Sequence, residues 1–435
     1  MQRRGFVMAG SASVVLAACG GGSGSDGSGG TGTVLNAQNR FLGSNLVASN
    51  ASYKALYTLP DFVDAWGIAI RPDGAGGHFW IGAGGSSWEF IGDVRNQADA
   101  SLRQLTRDGL KRVTVPGTTS DAGGGVTGVA YNGALLTSSN FLPAGQTMPD
   151  GASTINMEGS ARFIFVNSKG YITAWTDRRQ DTGGTLRNDG PSQQVYPAGG
   201  AVATGDQAFF GVALKTETWD TLWVVDFGMN PKVLQFDAGW NLVPTVGFTN
   251  PFATGAGGIA KPGDFVPFNI ISLGSRVFVT YAKSQVSAND LTAFRAGEED
   301  SLDADLERSG GYQPDRGRLV EYKLNGELVR IYKDDKRLNS PWGVAIAPAS
   351  FGAFGNSVLV GNFGGAGLIA GFSSSTGEFL GYLRDTTGGF VAQPGLWGLQ
   401  FGNGVSLGDV DALYFAAGPE GETAGLFGSL RYMPR

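Results

Sequence analysis

Polar residues that suit cation or hydroxyl binding recur where apolar segments end. An Asn/Asp-Phe step occurs at three such places, beginning at Asn140, Asp226 and Asn362. Oxygen donors of this kind are the ligands that a hard ion such as Ca²⁺ prefers. Asn and Asp in turns also hydrogen-bond their own loop backbone. The three residues are candidates for a common polar face, and turn chemistry is the alternative that we favour. No metal or cofactor is predicted; Ca²⁺ is the alternative.

A short phrase, in which an aromatic residue usually precedes glycine, supplies the second group of candidates. A Trp ring offers a large apolar face with a polar N–H, which suits a sugar, a peptide or an apolar ligand. The fourth copy is degenerate, so that either Phe268 or Asn269 takes the aromatic position. The alternative, which we favour, is that these rings plug a channel or pack between structural units. The residues predicted to line a ligand site are Trp66, Phe210, Asn269, Trp342 and Trp397.

The composition excludes several classes of site. The chain has one histidine, His78, and one cysteine, Cys19. A zinc cage of His and Cys and an internal disulfide are therefore impossible, and a Ser–His–Asp triad would depend on His78, which is predicted to lie exposed in a turn. The net charge is −6 and no basic stripe occurs. Nucleic acid is thus not an expected partner.

Six copies of the phrase indicate a repeat architecture. They are Ala65–Ile70, Thr127–Tyr131, Phe210–Leu214, Phe268–Ile271, Trp342–Ile346 and Trp397–Phe401. Each is followed by a second apolar strand, which in the second copy is predicted at Ala134–Thr137 with a third strand at Phe163–Asn167. Six four-stranded units predict an all-β fold, a six-bladed β-propeller of antiparallel blades around a channel. Phe41–Val47 is predicted to close the ring beside Leu426–Leu430, which would hide an edge strand.

The first 33 residues are interpreted as an export signal followed by a flexible linker. Residues 1–18 have a basic start with Arg3 and Arg4 and a short apolar stretch, which is typical of an export signal. Leu16-Ala17-Ala18-Cys19 matches a lipoprotein box, which predicts lipidation of Cys19. Residues 19–33 are Gly/Ser-rich, as in a flexible linker. We therefore expect an exported domain, residues 34–435, anchored to the cell envelope only through its lipid.

Several phrases resemble a family of uncharacterised bacterial exported proteins related to NHL-type repeat propellers. The phrases are Asn339–Ala345, Val360–Gly364, Gly395–Trp397, Ala417–Pro419 and Gly425–Ser429. The resemblance implies a six-bladed propeller and no particular activity. Propellers similar to gluconolactonases place Glu, Asn and Asp at the mouth positions, whereas none of those positions holds a carboxylate here.

These observations favour a binding or protein-interaction module, with a glycan, a peptide or a protein as ligand and a monomeric chain. The alternative is a metal-assisted hydrolase, similar to a lactonase, that acts at the channel mouth through Asp226, Asn269 and Asn362. Glu420 and Glu422 form a further carboxylate pair, which we expect to face water in a turn.

Overall fold

Most of the described strands form six sheets arranged in a ring, with antiparallel pairing except for one short parallel pair at the outer edge of the last sheet. The computed structural model describes residues 37–72, 77–117, 125–143, 145, 147–150, 153–176, 190–286, 294–296 and 312–434. Each sheet is one blade, and the innermost strand of each blade contacts that of the next, from the first blade around to the sixth and back to the first. The six-bladed propeller predicted from the repeats is confirmed.

The first three blades follow one another along the chain, and their strands are given from the channel outward. The first contains β3 (Ala65–Ala69), β4 (Phe79–Ala83), β5 (Ser86–Phe90) and β6 (Arg112–Thr114). The second contains β7 (Val126–Tyr131), β10 (Phe163–Asn167), β11 (Ile172–Trp175) and β12 (Gln193–Tyr196). The third contains β13 (Phe209–Leu214), β14 (Thr221–Asp226), β15 (Lys232–Asp237) and β16 (Leu242–Val243).

The other three blades complete the ring. The fourth contains β17 (Phe265–Leu273), β18 (Arg276–Val286), β20 (Gly317–Lys323) and β21 (Leu328–Ile331), with β19 (Phe294–Ala296) also paired to β18. The fifth contains β22 (Pro341–Ile346), β23 (Val358–Asn362), β24 (Ile369–Phe372) and β25 (Phe379–Tyr382). The sixth contains β26 (Leu396–Phe401), β27 (Ala412–Ala417), β28 (Leu426–Tyr432), β1 (Phe41–Ala48) and β2 (Tyr57–Thr58).

Within the described residues 41–434, the named helical elements are single turns. Short 3₁₀ turns occupy Ala51–Tyr53, Ala100–Leu102, Ala198–Gly200, Ala256–Gly258 and Gly352–Phe354. Within the described ranges, no helix has the length and apolar character needed to cross a membrane.

The N-terminal strand closes the ring as expected. β1 pairs antiparallel with β28, and Phe41 lies opposite Tyr432. A side-chain network reinforces this closure, because Arg431 on β28 donates to Asp93 of the first blade at 2.7 Å and to Asp409 at 3.1 Å. The last blade is thus fastened both to the start of the chain and to its neighbour.

The second blade corrects the predicted strand order. Ala134–Thr137 is not a strand; Phe163–Asn167 is the second strand of the blade, not the third. The hairpin of β8 (Thr147–Asp150) and β9 (Ser153–Asn156) lies in the connection between the first two strands. Ala134 is tied into a turn, since its N–H donates to the side chain of Asn132 at 3.0 Å. The apolar run Ala134–Thr137 resembles a strand in sequence, but the strand that pairs with β7 lies beyond an insertion.

The repeated glycine allows the innermost strands to approach each other. A Cβ added to Gly67 would lie 2.8 Å from the main-chain nitrogen of Val129 in the next blade. Gly128, Gly211, Gly343 and Gly398 meet the inner strand of their own neighbouring blade in the same way. A side chain at these positions would force the blades apart. The main role of the repeated phrase is therefore to let neighbouring inner strands pack closely.

Candidate functional site

A β-bulge directs one side chain from each inner strand into the channel. In every blade the register between the first and second strands shifts at the residue before the repeated glycine or its equivalent. A bulge leaves one residue without an opposite partner and re-aims its side chain. The re-aimed residues are Trp66, Thr127, Phe210, Phe268, Trp342 and Trp397. Because they follow the start of the inner strands, they lie near one end of the channel, which we name the aromatic end.

The rings at the aromatic end pack against each other. Trp66 stacks on Trp397 at a centroid distance of 3.5 Å and on Phe210 at 5.3 Å. Trp342 meets Trp66 and Trp397 edge-on at 6.1 and 6.0 Å. Phe363 stacks on the other side of Trp397 at 4.0 Å. These rings, together with Phe227 and Phe268, form one buried cluster, which we name the aromatic plug.

The aromatic plug leaves little ring surface for a ligand. Its aromatic side chains keep at most 5% of their surface exposed. The indole N–H of Trp342 is also used internally, since it donates to the main-chain oxygen of Phe210 at 3.1 Å. The predicted ligand site at these rings therefore stays a prediction. The arrangement itself corresponds to the alternative, in which the rings fill the channel.

Asn269 occupies the glycine position of its blade, and Phe268 occupies the aromatic position. The register shift of the fourth blade falls between Pro267 and Asn269, so that Phe268 is the re-aimed residue. The side-chain amide of Asn269 donates to the main-chain oxygen of Trp342 at 2.9 Å. Of the two residues that the degenerate phrase left open, Phe268 belongs to the mouth. The assignment of Asn269 to the mouth is corrected, because the bulge shifts it by one position.

Asp226 ends the second strand of the third blade at the aromatic end. Its Oδ1 accepts hydrogen bonds from the main-chain N–H groups of Ala208 and Gly228, at 2.9 and 2.8 Å. Burial raises the pKa of Asp226 to about 6, although these two hydrogen bonds favour the charged form. The carboxyl group joins two loops at this end and titrates near neutral pH.

Asn362 and Asn167 occupy the same place in their own blades. Asn362 accepts from the N–H of Asn339 at 2.7 Å and donates to the oxygen of Leu368 at 2.9 Å. Asn167 accepts from the N–H groups of Lys169 and Tyr171 at 3.0 and 3.2 Å. Sequence reasoning missed Asn167 because the second strand of that blade was misplaced. A search for Asn or Asp at the end of a paired second strand would have found it.

Asn140 lies at the opposite end of the blades. Its amide donates to the main-chain oxygen of Trp219, which belongs to the turn between β13 and β14. That turn follows the inner strand, whereas Asp226 and Asn362 lie where inner strands begin. The predicted polar face is therefore corrected: it contains Asp226 and Asn362 but not Asn140. The Asn-Phe step at Asn140 does not end a second strand.

The remaining titratable candidates are engaged in local contacts. His78 is only 7% exposed, and its Nε2 lies 3.0 Å from Asp108, so the expected exposure is corrected. Glu420 accepts from the hydroxyl of Tyr53 at 2.9 Å. Glu422 is buried and does not face water. No group of three His, Cys, Asp or Glu residues in the described part of the chain is arranged to hold a metal ion.

Two turns of the same construction project at the aromatic end, on either side of the third blade. Each is an Ala-Gly-Gly 3₁₀ turn whose first glycine has a positive φ, 66° at Gly199 and 68° at Gly257. Each is followed by an exposed aliphatic residue, Val202 at 82% and Ile259 at 64%. We name them the twin turns. Ala260, next to Ile259, packs against the aromatic plug.

Comparisons with known proteins give relatives without an assigned activity. No family model matches the chain. Uncharacterized protein R648 of Acanthamoeba polyphaga mimivirus is 25% identical over 392 residues, 89% of this chain and 79% of that protein. Uncharacterized protein L690 of the same virus is 29% identical over 211 residues, 48% and 49% of the two chains. These relatives are viral, so membership of a bacterial exported family and a relation to NHL-type repeats stay predictions.

Solved structures with a similar fold are WD40 propellers. The Neurospora crassa Pan2 WD40 domain is 11% identical, covers 90% of this chain and 96% of its own, and has a TM-score of 0.37. The WD40 β-propeller domain of Doa1 is 9% identical, covers 84% and 93%, and has a TM-score of 0.35. The strand pairing described above identifies the chain as a six-bladed β-propeller.

Proposed function

We propose that this chain is a binding module for a protein or peptide partner, held at the cell envelope by a lipid on Cys19. The observation that carries the proposal is the pair of twin turns beside a filled channel. The propeller supplies a rigid frame, and loops on such frames are the usual places for binding residues.

The aromatic plug supports a surface site over a channel site. Small-molecule sites are usually open concave pockets that bury most of the ligand. Here the rings at the mouth bury each other, and the adjacent polar groups of Asp226 and Asn362 hydrogen-bond to loop backbone. The surface that remains for contact at this end is formed by the connecting loops.

The chemistry of the twin turns favours a polypeptide partner. No charged residue occurs in 197–204 or 255–260. Val202 and Ile259 present aliphatic surface to solvent on two neighbouring turns, and a partner that covered both would gain hydrophobic free energy. Depletion of charge together with apolar contact surface is typical of the centre of a protein–protein interface. A glycan would instead require exposed aromatic faces or polar side chains.

Photo-cross-linking tests the proposal in the full-length chain. A benzophenone amino acid is placed at Val202, at Ile259, and at Leu135, which is 77% exposed on the turn after the inner strand of the second blade. Leu135 is the matched control because it lies at the opposite end. Discrete cross-linked adducts between this protein and a partner protein, formed from positions 202 and 259 but not from 135, support the proposal. Equal labelling at all three positions, or no adduct at 202 and 259, contradicts it.

Asp226 keeps a second candidate function open, a hydrolase that acts at the aromatic end. A buried carboxyl with a pKa of about 6 suits proton transfer near neutral pH. Purified protein is assayed against small esters, lactones and glycans. Turnover that Asp226→Asn abolishes would establish this function and displace the binding proposal. The same turnover in both proteins would come from a contaminant.

A further inference from the structure

Glu89 is a fully buried carboxyl group at the seam between the first and second blades. It lies on β5 and is 0% exposed. In the strand pairing it is opposite Trp80, which packs with Phe163 and Trp175 of the second blade. The neighbouring residues Trp88 and Phe90 point to the other side, towards the sixth blade. Since side chains alternate along a strand, Glu89 faces the second blade.

Neither carboxyl oxygen of Glu89 meets hydrogen-bond geometry with a partner in the described part of the chain, although the hydroxyl of Ser87 lies near enough to favour the charged form. The indole N–H of Trp175, which belongs to the same seam, also lacks one there. A buried polar group without a partner costs free energy, and a buried charge costs far more. Water that enters this seam would therefore supply hydrogen bonds to both groups.

The charged groups near Glu89 do not neutralise it. Arg107 lies over the rings of Trp88 and Phe90, at 5.6 and 5.4 Å from their centroids, on the side of the sixth blade. Asp108 is negative and is paired with His78. Burial raises the pKa of Glu89 well above its ordinary value; Ser87 and Arg107 oppose the rise and Asp108 adds to it. Thr173 and Trp175 of β11, on the second-blade side of the seam, carry no charge.

We propose that Glu89 is a pH-sensitive latch, whose neutral carboxyl group lets the first and second blades pack together and whose ionisation loosens the seam. The proposal is independent of the partner-binding function above. It concerns the fold itself and applies whether or not a ligand is bound.

The direction of the pH dependence follows from the raised pKa of Glu89. Below the ordinary pKa of an unfolded glutamate, roughly 4.3, Glu89 is protonated in both the folded and the unfolded protein. Folding stability then suffers no loss from ionisation of Glu89. Above this pKa the unfolded state loses a proton that the folded state retains. The folding equilibrium constant then falls by about tenfold per pH unit, until the pH reaches the pKa of the folded state.

The experiment compares unfolding of the wild type and Glu89→Gln by denaturant from pH 4 to pH 9. Glutamine keeps the shape and cannot ionise. The variant is expected to gain stability relative to the wild type by about tenfold per pH unit above roughly pH 4.5. Glu321→Gln is the matched control, because Glu321 is a buried carboxylate paired with Arg276 at 2.7 Å. It is expected to be less stable than the wild type, by an amount that stays constant above roughly pH 4.5. A gap between wild type and Glu89→Gln that does not change with pH overturns the proposal.

Hydrogen exchange locates the effect. After correction for the intrinsic pH dependence, amides of Ile172–Trp175 are expected to lose protection in the wild type as the pH rises and to keep it in Glu89→Gln. Amides of Val358–Asn362 in the fifth blade serve as the internal reference. Equal loss of protection in both strands would mean that no latch acts at this seam.

An infrared measurement on the wild type alone covers the case in which Glu89→Gln does not fold. At pH 8 Asp226 and Asp334, whose pKa values are raised to about 6, are ionised. A carbonyl band of a protonated carboxylic acid that is lost only at a pH well above the ordinary range of glutamate, in addition to the bands of Asp226 and Asp334, is expected from Glu89. Loss of all other carbonyl intensity within the ordinary range would show that Glu89 ionises like an exposed glutamate, and the latch would be disproved.

Discussion

The side-chain amide of Asn269 donates to the main-chain oxygen of Trp342 at 2.9 Å, across the seam between the fourth and fifth blades. In the other five blades glycine occupies this position and brings the neighbouring inner strand into close contact. One blade of the ring therefore uses a side chain as a spacer where the others use direct backbone packing.

Replacing the spacer is expected to weaken this seam. In Asn269→Gly the oxygen of Trp342 loses its donor and stays buried, which costs about 1–3 kcal/mol. Denaturant unfolding measures the change. A loss of stability below about 0.5 kcal/mol would contradict a bridging role for Asn269, since it would show that the two strands close without it.

The glycines of the inner strands are expected to reject even one methyl group. In Gly67→Ala the new Cβ would lie 2.8 Å from the backbone of Val129, and overpacking of this kind costs about 1–3 kcal/mol. Gly43→Ala is the control, because a Cβ there would lie at an ordinary 3.5 Å from Leu430. Thermal unfolding should show a lower midpoint for Gly67→Ala alone. Equal effects of the two variants would argue against a tight inner ring.

Asp226→Asn is expected to stabilise the protein above pH 6. The amide oxygen can keep the hydrogen bonds from Ala208 and Gly228, as Asn362 does in its own blade. The raised pKa means that the wild type loses stability as the pH rises from 3.8 to about 6. At 1.36 kcal/mol per unit, the gain at pH 8 is at most about 3 kcal/mol. A variant less stable than the wild type at pH 8 would show that the charge itself is needed.

The network around Arg431 is expected to hold the closed ring. Arg431→Met leaves the buried carboxylate of Asp93 without its cation, and breaking such a buried pair costs about 3–5 kcal/mol. Arg112→Met is the matched control, since its pair with Asp61 is exposed and is worth about 1 kcal/mol or less. Unfolding curves compare the two. A small effect of both variants would indicate that strand pairing alone closes the ring.

Lipidation of Cys19 is tested by labelling. Cells that express the full chain are fed a labelled fatty acid, and the wild type is expected to incorporate it and to sediment with membranes. Cys19→Ser should do neither and should appear in the soluble fraction. Incorporation in the variant would contradict the proposed anchor.

The fold was predictable because its signal is periodic. The glycine phrase recurs once per blade, so that a single degenerate copy at Phe268-Asn269 did not obscure the count. The strand prediction is wrong in the second blade, where an insertion separates β7 from β10. The strand-like run Ala134–Thr137 lies closer to β7 in sequence than β10, its true partner.

The candidate site was less predictable, because it depends on which way side chains point. A bulge moves Phe268 into the channel and Asn269 out of it, and no local propensity records that shift. The Asn-Phe step at Asn140 has the same pattern of residue types as those at Asp226 and Asn362, but it lies at the opposite end of the blades. Val202 and Ile259 are exposed because of the turns before them, and their aliphatic residue types do not predict this exposure.

The most direct test of the account is the affinity of the partner captured at the aromatic end. Calorimetry compares the wild type, the double variant Val202→Ser/Ile259→Ser and the control Leu135→Ser. We predict that the double variant binds at least about tenfold more weakly, which corresponds to 1.4 kcal/mol, and that the control binds as the wild type does. Equal affinity of all three proteins would contradict the claim that the twin turns are the binding surface of this propeller.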